Sequence, residues 1–224
     1  MREYNIRMNR IQQKRNAVFF SFEGIDGSGK SVQAEDLYKK LKNSGYTTTL
    51  FREPGGTTIS EQIREILLDK DNKTMAPLTE LLLYEASRAQ LVTEKIQPLL
   101  EEKGIIIADR FFDSTTAYQG YGRSISLQKI EFLNNLVCKN TIPDRTYILN
   151  ISWEESLKRR STVSSRSDRM ENQDQEFYNN TRKGFSELAR KYPHRIIILD
   201  GEQTQETVKK IILNDALKVI ENKF

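Results

Sequence analysis

The chain has 224 residues, 37% of them hydrophobic, a formal net charge of +4 and one cysteine, Cys138, which suits a single large α/β domain in a reducing, cytoplasmic setting and excludes a disulfide framework or cysteine metal cluster. No apolar run approaches the ~20 residues that cross a bilayer and no secretory core opens the chain, so no membrane partner is expected. The small basic surplus is what an enzyme handling several phosphates needs, and no nucleic-acid partner is inferred from it.

In chain order, residues 1–16 come first. Arg2, Arg7, Arg10, Lys14 and Arg15 face only Glu3 there, with little to bury. They read as a basic N-terminal extension, expected to be disordered: an interaction arm, an organelle presequence, or an upstream start with Met8 as another initiator. From Ala17 onward, strands are expected at 17–23, 46–51, 104–108, 145–151 and 195–199, and helices at 30–44, 57–68, 77–102, 126–139, 153–161, 173–191 and 204–222. Ile105-Ile106-Ile107-Ala108 and Ile196-Ile197-Ile198-Leu199 are continuously apolar, as in a parallel sheet covered by helices on both faces. A three-layer α/β/α domain over 17–224 is the expected architecture.

The first strand runs into Gly24-Ile25-Asp26-Gly27-Ser28-Gly29-Lys30-Ser31, a complete phosphate-binding loop between a strand and a helix. Its glycines let successive N–H groups turn inward onto phosphate oxygens, Lys30 supplies a point charge, Ser31 a magnesium ligand and the helix its positive end. In an open parallel sheet ligands collect beyond the carboxyl ends of the strands. There stand Glu23 after the first strand, Arg52-Glu53-Pro54-Gly55-Gly56 after the second and Asp109-Arg110-Phe111 after the third. Two arginines and an aspartate on one edge imply a second anion opposite the triphosphate, and so phosphoryl transfer between two substrates.

Guanidinium groups such as Arg52 and Arg110 can each fork two phosphate oxygens; a simple Arg52–Glu53 surface pair is the plainer reading of that position. Asp109 ends an apolar strand, where a carboxylate needs a cation: magnesium, or else Arg110 or Lys30. Asp26 inside the glycine loop is expected to face away from the phosphates. Tyr84 and Arg88, four residues apart, share a helix face, with Tyr84 stacking on a base or simply packing beside Leu81. Ser161–Arg169 is serine-rich and polar, the composition of a lid. His194, Trp153 and Cys138 read as structural; Ser152 and Glu155 form a capping box before Trp153.

The chain resembles the bacterial thymidylate kinases over most of residues 17–222. The resemblance rests on Phe22 to Ser31, Arg52 to Thr57, Tyr84-Glu85-Ala86-Ser87-Arg88, Asp109-Arg110-Phe111, Ala117-Tyr118-Gln119-Gly120 and Ser167-Asp168-Arg169-Met170-Glu171. It implies a nucleoside monophosphate kinase fold with a five-stranded parallel sheet, a lid at about 161–172, a homodimer packed through helices, and magnesium-dependent transfer of the ATP γ-phosphate to dTMP. It also implies that Gly24–Ser31 and Arg160 bind ATP, and that Lys30, Arg52, Asp109, Arg110 and Arg166 are catalytic. Ser31 ligates the metal directly and Asp109 through water. The dTMP site comprises Asp26 on the 3′-hydroxyl, Arg52 and Arg110 on the phosphate, Tyr84 on the base, Arg88 on O4, Gln119 on N3 and the carbonyl beside it, Tyr118 near C2′, and Ser114. Arg166 lies nearer Asp168-Arg169 than the family register leads one to expect, with Ser164 or Ser165 where an arginine often stands; Arg160 and Arg169 are the alternates. Competing readings are another nucleotide or nucleoside kinase of this architecture, and a nucleotide switch, which would lack any need for two acceptor arginines.

Overall fold

All seven residues of β1 (Ala17–Glu23) are buried, which demands cover on both faces and neighbours on both edges. The computed structural model, which describes residues 15–162, 168–171 and 173–224, supplies both. β3 (Gly104–Asp109) and β4 (Arg145–Asn150) flank β1, β2 (Thr48–Arg52) lies outside β3, and β5 (Ile196–Asp200) outside β4, all parallel in the order β2-β3-β1-β4-β5. Phe22 pairs in register with Asp109, and Asp109 with Arg52. Three strand ends thus reach the same edge together.

On one face Val18, Phe20, Phe22 and Ile107 pack against α1 (Lys30–Asn43) through Leu37 and Leu41 and against the C-terminal helix Gln205–Glu221 through Ile212 and Ile220. On the other, Phe19, Ile106 and Ala108 pack against Leu91, Val92 and Ile96. The expected three layers are present. The edge strands depart from the expectation of full cover: β5 leaves Ile198 42% exposed, because an edge strand has a neighbour and a helix on fewer sides.

α2 (Thr58–Leu68) is capped by Thr57, whose side chain accepts from Ser60 N. The helix expected over 77–102 is interrupted: α3 (Pro77–Leu91) opens into a π-helical turn at Val92–Ile96 before α4 (Gln97–Glu101). Pro98 accounts for this, since its ring would crowd the carbonyl four residues back in a regular helix. A short α5 (Phe112–Thr115) and a π-helical turn at Thr116–Gly122 occupy a stretch with no expected element; four residues and two glycines carry too little periodicity to read. α6 (Leu127–Cys138), α7 (Trp153–Thr162), α8 (Gln175–Lys191) and α9 (Gln205–Glu221) complete the order. Half of the anticipated capping box forms: Glu155 N donates to Ser152 Oγ, while Ser152 N donates to Glu202 rather than Glu155.

Residues 1–14 lie outside the described residues. Arg15 and Asn16, grouped with the extension on composition, join the domain: Arg15 Nη1 donates to Ile142 O at 2.7 Å and Asn16 N to Leu100 O at 3.1 Å. Among the described residues no helix is long and apolar enough to cross a membrane.

Candidate active site

The glycine loop turns back on itself through Ser28 N donating to Ile25 O at 3.2 Å. Gly24 adopts φ 140°, and a Cβ there would lie 2.5 Å from Leu149 O, so no other residue fits. Gly29, at φ 89°, opens α1 in the left-handed region and leaves the helix N-terminus facing into the loop. Ile25 contributes backbone only; its side chain is buried against Tyr118 and Tyr178.

A cavity of about 300 Å³ lies beside this loop. It gathers Asp26, Lys30 and Ser31 from the loop, Arg52 and Asp109 from strand ends, Tyr84 and Arg88 from α3, and Arg110, Ser114, Tyr118 and Gln119 from the segment after β3. A second cavity, about 980 Å³, shares Gly27, Lys30 and Ser31 with the first and is walled by Trp153, Leu157 and Arg160 of α7. The glycine loop therefore stands between two adjoining spaces.

Arg110 has φ 73°, an unfavourable backbone region for a side-chain-bearing residue. Its geometry is enforced on both sides: Arg110 N donates to Phe22 O at 2.9 Å, and Phe111 N to Glu23 Oε1 at 2.7 Å. The guanidinium reaches Gly24 O, Ser114 Oγ, Asp26 Oδ1 and Tyr118 OH. Glu23 also accepts from Ser21 and Ser114; burial, then the neighbouring Asp113, raises its carboxyl to about 8.

Asp26 lines the first cavity and not the second. Oδ1 lies 3.6 Å from Lys30 Nζ and pairs with Arg110, while Oδ2 meets Tyr178 OH at 3.1 Å and Tyr118 OH at 3.3 Å. Burial alone would raise its pKa, but Arg110 and Lys30 outweigh it and bring the carboxyl down to about 2. Two cations beside the loop make this a favourable place for a carboxylate. Lys30 itself is lowered, by burial and then by Arg110.

Arg52 pairs with Glu61 at 3.0 Å, not with Glu53, and its side chain is 53% exposed. Glu53 turns inward to Arg88 instead. Arg88 is 2% exposed, with Nε donating to Glu53 Oε2 at 2.8 Å and Nη1 to Glu85 Oε1 at 2.7 Å. Gln119 likewise has its Nε2 committed, to Glu80 Oε1 at 2.9 Å. Tyr84 is half-buried and lines the cavity one helical turn before Arg88. Asp109 Oδ1 is buried without a hydrogen-bond partner among the described residues.

Arg160 lies against the packed rings of Trp153 and Tyr178, 5.0 and 4.9 Å from their centroids. Nη1 donates to Glu171 O at 2.6 Å, whereas Nε and Nη2 are buried without partners among the described residues. Arg169 is engaged elsewhere, with Glu80 at 2.7 Å and Leu67 O at 2.8 Å. Arg166, Ser164 and Ser165 lie outside the described residues, as does half of the lid expected at 161–172.

Three site residues carried no sequence signal. Arg64 lines the first cavity from α2, with Nη1 on Pro54 O at 2.8 Å. Tyr178 reaches Asp26 from α8, and Glu80 holds Gln119. Arg64 shares a helix face with the buried Ser60 and Leu67, at the i, i+4, i+7 spacing, which is the one trace that could have marked it.

A family model described as thymidylate kinase matches residues 22–212. The thymidylate kinase of Caldanaerobacter subterraneus subsp. tengcongensis is 45% identical over 195 residues, covering 87% of this chain and 92% of the relative. That of Thermoanaerobacter sp. is 42% identical over 202 residues, covering 90% and 98%. The crystal structure of thymidylate kinase from Ehrlichia chaffeensis superposes with a TM-score of 0.72 at 35% identity, over 92% of this chain and 99% of that one. With the motifs in family order on a matching fold, the chain belongs to the thymidylate kinase family.

Proposed function

We propose that the protein transfers the γ-phosphoryl group of ATP to dTMP, giving ADP and dTDP. The observation that carries this reading is that one cavity is lined both by the phosphate loop and by Arg52, Arg88 and Arg110 with Tyr84 and Gln119, while the adjoining cavity reaches the same loop from α7. Two polyanions repel; a cleft that brings them end to end must neutralise both.

In-line transfer needs no covalent intermediate, because a phosphate oxygen of dTMP is already a nucleophile. The protein aligns the ends and cancels charge. Lys30 and the loop amides take the ATP phosphates, and Arg52 and Arg110 fork the acceptor phosphate. Arg110 leaves Asp26 free to accept from the sugar 3′-hydroxyl when it turns to phosphate. Tyr118 and Ser114 stand beside Arg110 and bound the sugar. Tyr84 faces the base, and Arg88, rigidly held by Glu53 and Glu85, donates to O4. Arg160, with two buried donors unpartnered among the described residues, is the described arginine suited to charge on the transferring group; Arg166 remains the lid candidate.

The residues present fit magnesium. Asp109 Oδ1 is a buried carboxylate oxygen with no partner among the described residues and Ser31 lines the same cavity, and two protein oxygens suffice where phosphates and water complete the shell. The ion when bound neutralises phosphate charge.

We extend the proposal to a cytoplasmic homodimer. Leu78 and Leu82 on α3 and Phe132 and Leu136 on α6 are 48–66% exposed, and α3 packs beside α6, so a second copy has an apolar helical face to cover. No membrane or nucleic-acid partner is invoked.

An ADP-release assay over dTMP, dUMP, dGMP, dCMP and thymidine tests the activity. Turnover is expected to be strongest with dTMP. Equal turnover with thymidine would indicate a nucleoside kinase, and no acceptor-dependent turnover would favour a nucleotide switch.

A further inference from the structure

Gln119 is 2% exposed and lines the acceptor cavity, yet its amide cannot choose which end it presents. Nε2 donates to Glu80 Oε1 at 2.9 Å. Glu80 does not itself line the cavity; it is 1% exposed and sits in the first turn of α3. Arg123 Nε approaches the same Oε1 at 3.1 Å, and Arg123 Nη2 and Arg169 Nη1 approach Oε2 at 3.1 and 2.7 Å. Burial raises the Glu80 pKa, but bonds from Arg123, Gln119 and Arg169 outweigh it and leave it below the usual glutamate value. Glu80 is therefore a carboxylate, which only accepts. Turning the Gln119 amide over would set two acceptor oxygens against each other in a buried site.

We propose that Glu80 is a specificity-determining positioning residue, which by holding Gln119 Nε2 obliges the amide to present its Oε1 to the acceptor base. The cavity then takes a pyrimidine that carries a proton on N3 and rejects one whose N3 is a lone pair. This rests on the dTMP reading above; cytosine, with the reverse polarity at N3, would set its lone pair against the fixed Oε1. Arg123 and Arg169 act in turn on Glu80, holding both oxygens so that the carboxylate cannot rotate away.

The test is Glu80→Gln, nearly equal in volume. Gln at position 80 can give its oxygen to the two arginines and its NH2 to Gln119, which releases the Gln119 amide to turn over. The ratio of kcat/KM for dTMP to that for dCMP is expected to fall about tenfold, the scale of one misdirected hydrogen bond. Gln119→Leu is expected to lower the same ratio, and the double variant to lower it no further. An unchanged ratio in a Glu80→Gln protein with wild-type melting behaviour, or additive losses in the double variant, overturns the proposal. If Glu80→Gln does not fold, NMR of the unliganded wild type decides. The Gln119 side-chain NH2 resonances, assigned by their loss in Gln119→Leu, are expected to exchange slowly with solvent, and rapid exchange overturns the proposal. Failure of the wild type to use dTMP at all would instead count against the activity, and the NMR readout still settles the amide.

Discussion

Arg110 shows how a site residue is held in readiness. Its left-handed backbone is kept by bonds from its own N–H to Phe22 O and from Phe111 N to Glu23, and its guanidinium is held by Asp26, Gly24 O and two hydroxyls. Arg110→Ala is expected to lower kcat/KM for dTMP by at least about a hundredfold while leaving the ATP dissociation constant within about twofold, since removing a preorganised charge at the reacting group costs ~3 kcal/mol; steady-state ADP release and a fluorescent-ATP titration check it. Glu23 beneath it carries a pH signature. Its carboxyl rises from 4.5 to about 8, by burial and then Asp113, so its contribution to stability is complete below about 4.5 and is lost as pH rises through 8. Glu23→Gln is expected to flatten the decline of the melting temperature between pH 5 and 8, and an unchanged slope would contradict the assignment. At this scale the sequence was informative wherever chemistry sits in contiguous strings: Lys30, Arg52, Asp109 and Arg110 all line the cavity. Arg64, Glu80 and Tyr178 were illegible because each is an isolated polar residue on an ordinary amphipathic helix. The partners themselves were not legible either: Arg52 takes Glu61 while Glu53 takes Arg88 from α3, so the plainer Arg52–Glu53 pair does not form.

Elements were legible in proportion to their regularity. The buried strands and long amphipathic helices lie within a few residues of expectation, since periodicity and glycine punctuation act locally. The segment 112–122, which brings Ser114, Tyr118 and Gln119 to the cavity, was not, because its π-helical turn depends on close packing against α8: a Cβ on Gly122 would lie 2.7 Å from Phe177, and one on Gly184 2.7 Å from Tyr121. Widened turns of this kind recur at functional sites. The exposed face of α3 and α6 bears on assembly. Leu82 and Phe132 are 48% and 66% exposed, and Leu82→Glu with Phe132→Glu is expected to convert a micromolar dimer to monomer in sedimentation velocity without lowering the melting temperature of the monomer; a wild type that is already monomeric would refute the dimer.

For the molecule as a whole, the two cavities share Gly27, Lys30 and Ser31, so one ligand that fills both should stabilise more than either substrate. A thymidine–adenosine oligophosphate is expected to raise the melting temperature beyond ATP or dTMP at equal concentration, with about 4 kcal/mol of stabilisation at a thousandfold excess over its dissociation constant; equal shifts for all three would separate the cavities functionally. The sequence by itself determined the layered α/β/α architecture, the phosphate loop and the charged strand ends, because strand burial, glycine geometry and the placement of residues after a strand follow from neighbours in the chain. Only the tertiary structure decided which way Asp26 faces, which carboxylates Arg52 and Arg88 answer to, and that Gln119 Nε2 answers to Glu80 on another helix. Those outcomes depend on burial and on cations brought together across distant segments, and the energy of a buried charge is set by everything around it.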